Sequence, residues 1–194
     1  MAALKRLVDR LAAERGLPDT DMLALLACGD GEVLSHLFAR ARAAREAVYG
    51  RDVYIRGLIE FTNFCKNDCL YCGIRRSNAR ACRYRLSEEE ILACAEAGYR
   101  MGFRTVVLQG GEDPWFTDER LCRIVRALKA AQPDRAVTLS VGERSRESYQ
   151  KLFDAGADRY LLRHETATKA HYEALHPPGM SFENRMRCLA DLRA

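Results

Sequence analysis

The stretch VYIRGLIEFTNFCKNDCLYC, residues 53–72, passes from a strand-like segment directly into a group of three cysteines. Its first part is rich in Val, Ile, Tyr and Phe, which is typical of a β-strand, and it ends at Thr62. Residues 63–69 carry Asn, Lys and Asp and predict a loop rather than the start of a helix. The cysteines are Cys65, Cys69 and Cys72. They are therefore expected on a loop at the carboxyl end of a strand.

The same alternation of strand and helix continues through the rest of the chain. Three further strands are predicted, at 105–109, 136–141 and 159–165. Helices are predicted after a capping box at Ser87, through Leu121–Leu128 before Pro133, and after Ser145. Two more are predicted over about 167–175 and, with Ser181 as its cap, over 182–194. Because strands that alternate with helices pair in parallel, the pattern predicts one parallel sheet with right-handed crossovers.

This pattern predicts an α/β fold, which we interpret as the first half of a (β/α) barrel. A helical extension is expected over residues 1–50 and the truncated barrel over residues 51–194. Four strands cannot close an eight-stranded barrel, which takes about 250 residues, so the alternative is a small open α/β sheet. The helical pattern at 191–194 has no C-terminal cap, which favours a fragment. Such a fragment is expected to expose apolar surface and to aggregate when isolated.

The composition is that of a globular protein without membrane or nucleic-acid signals. Of the 194 residues, 48% are hydrophobic and 30% are charged, and the net charge is only +4. That charge is too small to indicate nucleic-acid binding, and no apolar run reaches the ~18 residues of a membrane span. The N-terminus lacks the continuous apolar centre of a signal peptide. We therefore expect a cytoplasmic protein whose eight cysteines stay reduced.

The spacing CX3CX2C favours a metal site, because thiolates are soft ligands for iron–sulfur clusters and zinc. No fourth Cys or His lies close to the three cysteines in the sequence. Structural zinc and a fully ligated cubane both usually take four protein ligands. Three thiolates on a cubane would leave one iron open to another ligand. Two alternatives are a structural zinc site and cysteines that are simply apolar positions on one face of a helix.

Polar residues also follow the other predicted strands. Gly110 to Glu112 follow the second strand, and Ser140 and Glu165 end the third and fourth. The carboxyl ends of parallel strands share one edge of a sheet, and α/β folds bind their ligands there. On a strand, Arg163 and Glu165 would share a face. They would line a polar cavity or, alternatively, pair with each other.

The cysteine motif, with Tyr71 before its last cysteine, resembles that of the radical SAM superfamily. Longer stretches are similar to one branch, the HydE-type [FeFe]-hydrogenase maturases, which are relatives of biotin synthase and methylornithine synthase. These stretches are IEFTNFCKNDCLYCGIRR (59–76), VVLQGGEDP (106–114), VTLSVGE (137–143), AGADRYLLRHETA (155–167) and SFENRMRCL (181–189). The resemblance runs from about residue 30 to the end of the chain.

The resemblance implies two cofactors, a [4Fe-4S] cluster and S-adenosylmethionine (SAM). The cluster would be held by Cys65, Cys69 and Cys72, and the methionine end of SAM would bind its fourth iron. SAM contacts are implied for Tyr71, Gly110, Gly111, Glu112, Ser140, Glu165 and Arg185. Substrate contacts are implied for Gln109, Thr138 and Arg163, a set that suits an anionic ligand. No catalytic residue is implied.

By resemblance, the enzyme cleaves SAM reductively and acts in assembling the diiron subcluster of [FeFe]-hydrogenase. The alternatives are a biotin-synthase-like or methylornithine-synthase-like reaction, and a zinc or iron–sulfur module without catalysis. The implied partners are a small molecule or iron complex as substrate, a reductant such as a ferredoxin or flavodoxin, and other hydrogenase maturases. Neither nucleic acid nor a membrane is expected as a partner.

Two remaining features are predicted to lie at the surface without a specific role. His176 falls on a helical pattern and is expected to be exposed. The arginine-rich stretch RRSNARACRYR (75–85) is expected to be solvated.

Overall fold

The computed structural model describes all 194 residues, which form two compact units, Met1–Tyr54 and Ile55–Ala194. The first unit is helical, and the second alternates strands and helices. The elements are α1 (Ala2–Glu14), α2 (Asp19–Leu26), α3 (Gly31–Tyr49), β1 (Gly57–Thr62), α4 (Glu88–Arg100), β2 (Thr105–Gly110), α5 (Asp118–Ala131), β3 (Ala136–Ser140), α6 (Arg146–Asp154), β4 (Arg159–Tyr160), α7 (Lys169–Leu175) and α8 (Phe182–Arg193).

The N-terminal unit consists of three helices around a small apolar core. Val8, Leu25 and Val33 form its buried centre, one from each helix. Helix α3 begins after Asp30, whose carboxylate accepts hydrogen bonds from two amides of the first turn. It ends at Tyr49 and is followed by Gly50, whose φ of 62° is one that favours glycine. No single helix is long and apolar enough to cross a membrane, and α2 and α3 meet that criterion only as a pair bent by 114°.

The C-terminal unit contains one sheet of four parallel strands in the order β1-β2-β3-β4. Neighbouring strands in the sheet are consecutive in the chain, and a helix connects each pair, so the predicted parallel α/β architecture is confirmed. The core between sheet and helices includes the fully buried side chains of Ile91, Leu108, Leu121 and Leu139. This arrangement brings the carboxyl ends of all four strands to the same side of the unit.

The helix caps that the sequence predicts are formed. The Ser87 hydroxyl accepts from the Glu90 amide at 3.2 Å, and the Glu90 carboxylate accepts from the Ser87 amide at 2.7 Å. The hydroxyls of Ser145 and Ser181 accept from the third amide of α6 and α8. These local signals are strong because the first amides of a helix have no partner within the helix.

Strand β1 is shorter than predicted. It begins at Gly57, which pairs with Val106 of β2, rather than at residue 53. Residues 53–56 have no strand beside them, and Val53 and Ile55 are exposed. The β-like composition of this stretch therefore does not extend the sheet, because a strand needs a partner for its backbone hydrogen bonds.

Strand β4 is also shorter than predicted, since it contains only Arg159 and Tyr160 rather than residues 159–165. Its neighbour β3 ends at Ser140, and the chain then turns at Gly142, whose φ is 81°. After one more hydrogen bond to β3, from the Leu161 amide, the chain leaves the sheet. The residues beyond it lie in a loop.

Candidate cluster-binding and ligand-binding site

A cavity of about 230 Å³ is lined by residues at the carboxyl ends of the strands, on the loops that follow them and on α8. Of the predicted site residues, it is lined by Cys65, Cys69, Tyr71, Cys72, Gln109, Gly110, Gly111, Glu112, Ser140, Arg163, Glu165 and Arg185. The structure therefore brings together residues that are widely separated in the sequence. Their meeting at one edge of the sheet is what the parallel arrangement of the strands predicts.

The cysteine loop, residues 63–78, is held closed by Arg83. The Arg83 guanidinium donates to the carbonyl oxygens of Ile74 at 2.9 Å and Arg75 at 2.7 Å, and also to those of Asn63 and Asn78. These acceptors come from both ends of the loop. Backbone carbonyls in an irregular loop need donors, and one side chain supplies them here. The expectation that the arginine-rich stretch is merely solvated is wrong at this residue.

Arg85 makes a second structural contact from the same stretch. Its guanidinium donates to both oxygens of Asp113, at 2.6 and 3.0 Å, and the Thr62 hydroxyl donates to Asp113 at 2.8 Å. Burial alone would raise the pKa of the Asp113 carboxyl, but the hydrogen bonds from Arg85 and Thr62 outweigh it and lower the pKa. This buried carboxylate joins the turn after β2 to the end of β1.

His176 holds Tyr71 of the cysteine loop. His176 Nδ1 lies 2.8 Å from the Tyr172 carbonyl and therefore carries the proton, so Nε2 accepts from the Tyr71 hydroxyl at 3.1 Å. The Leu70 amide donates to the Leu175 carbonyl at 3.0 Å beside it. His176 is buried, so the predicted surface position is wrong. Helix α7 ends one residue earlier, and the extended backbone of His176 turns its ring inward.

The three cysteines line the cavity as free thiols. Burial raises the pKa of the Cys65 thiol and raises that of Cys69 to about 11. Metal binding would therefore release protons from them. No group of three His, Cys, Asp or Glu side chains converges on one ion position. Three thiolates are soft donors of the kind that iron–sulfur clusters take, so the residues present fit a cluster.

Gly111 allows the turn after β2 to lie directly against the cysteine loop. A Cβ atom at Gly111 would lie 2.2 Å from the Phe64 carbonyl oxygen and 2.7 Å from the Cys65 Cβ. A Cβ at Gly142 would lie 1.9 Å from the Glu112 Cγ, and the φ of Gly142 is 81°. Both positions exclude larger residues. The glycines thus provide close backbone approach around Glu112 and not only a bend.

Glu112 and Arg185 form the charged side of the cavity. The Arg185 Nη2 lies 3.9 Å from the Glu112 Oε1. Lys66 Nζ lies 3.3 Å from the other carboxylate oxygen but without hydrogen-bond geometry, so this buried oxygen has no donor. A ligand ammonium group would satisfy it. Burial opposes the charge of Arg185, but the ion pair with Glu143 raises its pKa.

Glu143 does not line the cavity, but it binds Arg185, and no role was predicted for it from the sequence. Its carboxylate accepts from Arg185 Nε and from Asn184 Nδ2, both at 2.6 Å. Its position in the matched stretch VTLSVGE, just beyond the third strand, is the only sequence signal that could have indicated it.

Gln109 joins two charged side chains across the strand ends. Its Nε2 donates to Glu60 Oε1 at 3.2 Å, and its Oε1 accepts from Arg163 Nη2 at 3.3 Å. Arg163 forms no ion pair with Glu165, so the alternative in which these two residues merely pair is not observed. The three polar side chains form a continuous row along β1, β2 and the segment after β4.

Thr138 is the one predicted site residue outside the cavity lining. It is buried on β3, two residues before Ser140, and its hydroxyl has no hydrogen-bond partner. Because β4 ends at Tyr160, Arg163 and Glu165 reach the cavity from a loop, and the prediction that they share a strand face is wrong. The φ of Glu165 is 61°, which reflects this irregular path.

The sequence of the C-terminal unit matches a known family. The sequence model of the radical SAM superfamily matches residues 59–194, which contain every predicted site residue. The chain belongs to the radical SAM superfamily, a family of enzymes.

Within this superfamily, the chain is similar to three kinds of curated protein. The [FeFe] hydrogenase maturase subunit HydE of Thermotoga maritima is 47% identical over 157 residues, which are 81% of this chain and 44% of that protein. The 3-methylornithine synthase of Methanosarcina acetivorans is 32% identical over 184 residues, or 94% of this chain and 52% of that protein. A biotin synthase of Nocardioides sp. is 31% identical over 170 residues, which are 85% of this chain and 45% of that protein. The chain thus spans about half the length of the curated relatives it matches.

Solved structures agree on the fold. The crystal structure of methylornithine synthase (PylB) superposes with a TM-score of 0.85 at 29% identity, covering 96% of this chain and 55% of that one. HydG, a maturase of the [FeFe]-hydrogenase, has a TM-score of 0.87 at 24% identity, covering 98% of this chain and 44% of that one. The second likeness concerns the fold alone. Together they confirm the predicted half of a radical SAM barrel.

Proposed function

We propose that the protein is a radical SAM enzyme that cleaves SAM reductively at a [4Fe-4S] cluster during assembly of the diiron subcluster of [FeFe]-hydrogenase. The observation that carries the proposal is that the three cysteines, the Gly110–Glu112 turn and Arg185 line one cavity. They do so in a chain 47% identical over 157 residues to a HydE maturase. When bound, the cluster supplies an electron and SAM supplies a 5′-deoxyadenosyl radical, while the protein supplies position and shielding.

The cysteine loop provides the cluster ligands. Cys65, Cys69 and Cys72 would hold the cluster as thiolates, and three protein ligands would leave one iron open to SAM. Arg83 closes the loop through four backbone carbonyls. A loop closed in advance loses less conformational entropy when the cluster binds.

The charged side of the cavity suits the amino-acid end of SAM. The α-ammonium group would donate to the Glu112 oxygen that has no donor, and the α-carboxylate would accept from the terminal nitrogens of Arg185. We assign contacts with the remainder of SAM to a further set, comprising Tyr71 beside the adenine, Gly110 and Gly111 along the backbone, and Ser140 and Glu165 at the ribose and amino ends.

Arg163 and Gln109 of the polar row, together with Thr138, suit an anionic substrate. Arg163 supplies a guanidinium, Gln109 holds it on one side, and the unpartnered Thr138 hydroxyl lies near the same strand ends. We propose a small molecule or an iron complex carrying CO and cyanide as the substrate. A ferredoxin or flavodoxin as reductant, other hydrogenase maturases as partners, and a cytoplasmic location complete the proposal.

A second candidate function is a reaction on an organic substrate, of the kind that biotin synthase or methylornithine synthase catalyses. It is supported by the 32% identity to 3-methylornithine synthase over 184 residues and by the TM-score of 0.85 to PylB. Assays of the full-length protein with the substrate of each of these reactions, each with SAM and a reductant, would distinguish them. Substrate-dependent formation of 5′-deoxyadenosine identifies the correct one.

Separating cluster binding from SAM binding tests the leading proposal. In the full-length protein, replacing Cys65, Cys69 or Cys72 by Ala leaves two thiolates, so we expect iron content to collapse after anaerobic reconstitution. The exposed Cys82 offers a matched control, since Cys82→Ala should retain its iron. Arg185→Ala and Glu165→Gln should retain iron and sulfide but bind SAM roughly ten- to a hundredfold more weakly, because each loses a charged hydrogen bond.

Three results would contradict the proposal. Zinc without sulfide in the wild-type protein would indicate a metal-binding module. A cluster whose EPR spectrum does not respond to SAM would indicate an iron–sulfur module without SAM chemistry. Unchanged SAM affinity in both Arg185→Ala and Glu165→Gln would show that these two contacts are assigned wrongly.

A further inference from the structure

Arg185 is an enclosed charged group at the cavity, and Glu143 is its counter-ion. Their side chains are only 7% and 14% exposed. Glu143 lies on the loop between β3 and α6, directly after Gly142, whereas Arg185 lies in the first turns of α8. One Glu143 oxygen accepts from Arg185 Nε at 2.6 Å, and the other accepts from Asn184 Nδ2 at 2.6 Å. Both oxygens are therefore engaged with the same end of α8.

These contacts determine which part of the guanidinium remains free. A guanidinium has one hydrogen on Nε and two on each terminal nitrogen. Glu143 engages Nε, and the Arg163 carbonyl accepts from Nη1. The Nη2 nitrogen makes no hydrogen bond, and its nearest carboxylate, that of Glu112, lies 3.9 Å away. The free N–H groups therefore all belong to the terminal edge of the guanidinium.

Burial makes this arrangement depend on Glu143. A charge removed from water is stable only when a partner and hydrogen bonds compensate for the lost solvation. Glu112 is too distant from Arg185 to accept a hydrogen bond, so Glu143 is the carboxylate that provides this compensation. Without Glu143, the Arg185 side chain could turn its Nε edge towards the cavity, or the whole guanidinium could move towards Glu112.

We infer that Glu143 is a positioning residue that holds Arg185 so that its terminal nitrogens, rather than Nε, meet the carboxylate of the bound ligand. The inference rests on the proposed function, in which that ligand is SAM. Glu143 itself does not touch the ligand in this scheme. Asn184 holds the second oxygen of Glu143 and so restricts the rotation of its carboxylate.

The test compares two ligands that differ only in the carboxylate, SAM and decarboxylated SAM. Their affinities are measured by titration calorimetry on the reconstituted full-length protein, as ratios of variant to wild type. Glu143→Ala should weaken SAM binding about tenfold, the equivalent of one lost hydrogen bond, and change binding of decarboxylated SAM by less than about twofold. Glu143→Gln retains an acceptor for Nε and should weaken SAM binding only about threefold. Glu147→Ala, at an exposed glutamate of α6, is the matched control and should change neither affinity.

Each other outcome identifies which idea fails. If Arg185→Ala leaves SAM affinity unchanged, the proposed contact between Arg185 and SAM is wrong, and the positioning role of Glu143 is wrong as well. If Arg185→Ala weakens SAM binding and Glu143→Ala does not, only the positioning role is overturned. Equal losses for both ligands would indicate general damage to the site and would also overturn it. Should Glu143→Ala fail to fold, the comparison of the two ligands on Glu143→Gln decides in the same way.

Discussion

Asp113 retains its charge in the interior because Arg85 and Thr62 donate to it. Its side chain is only 1% exposed, whereas that of Arg85 is 34% exposed. The carboxylate connects three segments: the end of β1, the arginine-rich stretch and the turn after β2. At the residue scale, the position of the turn after β2 therefore depends on Asp113, whose partners Thr62 and Arg85 are distant from it in the sequence.

The lowered pKa of Asp113 predicts a pH-dependent contribution to stability. A carboxyl group whose pKa is lower in the folded protein stabilises it fully above the ordinary value and loses this effect as pH falls through the folded value. Asp113→Asn should therefore lower the free energy of unfolding at pH 7 by about 1–3 kcal/mol. The difference from wild type should shrink below a pH of about 4.

Urea unfolding of the full-length protein at several pH values measures this effect. Asp154→Asn is a suitable control, because Asp154 is exposed and only accepts from Gln150. A difference between Asp113→Asn and wild type that stays constant down to pH 3 would contradict the explanation.

At the scale of elements, the last residue of α7 and the segment between α7 and α8 support the cysteine loop. The Leu70 amide, the Tyr71 hydroxyl and the Cys69 sulfur contact Leu175, His176 and Met180 respectively, with 3.6 Å between the two sulfur atoms in the last pair. These residues are therefore a second support for the loop, in addition to the one that Arg83 provides. This arrangement explains why a histidine at the end of a short helix is buried.

His176→Phe should weaken SAM binding without loss of iron. The phenyl ring can still stack on Tyr172, as His176 does at 3.9 Å between ring centroids, but it cannot accept from the Tyr71 hydroxyl. A lost neutral hydrogen bond predicts a roughly fivefold weaker SAM affinity. Tyr71→Phe removes the same bond from the other side and should have a similar effect.

The double variant tests whether the two residues act together. If they do, His176→Phe with Tyr71→Phe should be no weaker than either single variant. Additive losses in SAM titrations would show that the hydrogen bond is not what positions Tyr71.

At the scale of the whole molecule, the sheet of the C-terminal unit has two edges without a neighbouring strand, β1 and β4. Leu58 on β1 is 55% exposed, and Leu161 just after β4 is 42% exposed. Unpaired backbone groups beside exposed apolar side chains are a template for association with another chain. No charged residue of β1 other than Glu60 opposes this.

We therefore expect the 194-residue chain, expressed alone, to associate in a concentration-dependent way. Light scattering coupled to gel filtration measures the mass across a dilution series. Leu58→Lys should reduce association, because a lysine on an edge strand opposes strand addition. A wild-type chain that stays monomeric at all concentrations would contradict the expectation.

The candidate site was predictable where its signals are local. The cysteine spacing, the glycine pair after β2 and the polar strand ends all lie within short stretches. Parallel strands then place their carboxyl ends together without further information. The contacts that His176 makes with Tyr71 and Glu143 makes with Arg185 were not predictable, because each joins segments that are far apart in the chain. The acceptors of Arg83 are nearer in the chain, but they depend on the path of an irregular loop, which has no local signal.

By itself, the sequence determined the alternation of strands and helices, the helix caps at Ser87, Ser145 and Ser181, and the three-cysteine loop. These depend on residues within a few positions of one another. Only the tertiary structure decided where β1 begins and β4 ends, because a strand extends only as far as its neighbour offers backbone partners. It likewise decided which polar side chains are buried, since burial depends on what packs above a residue and not on the residue itself.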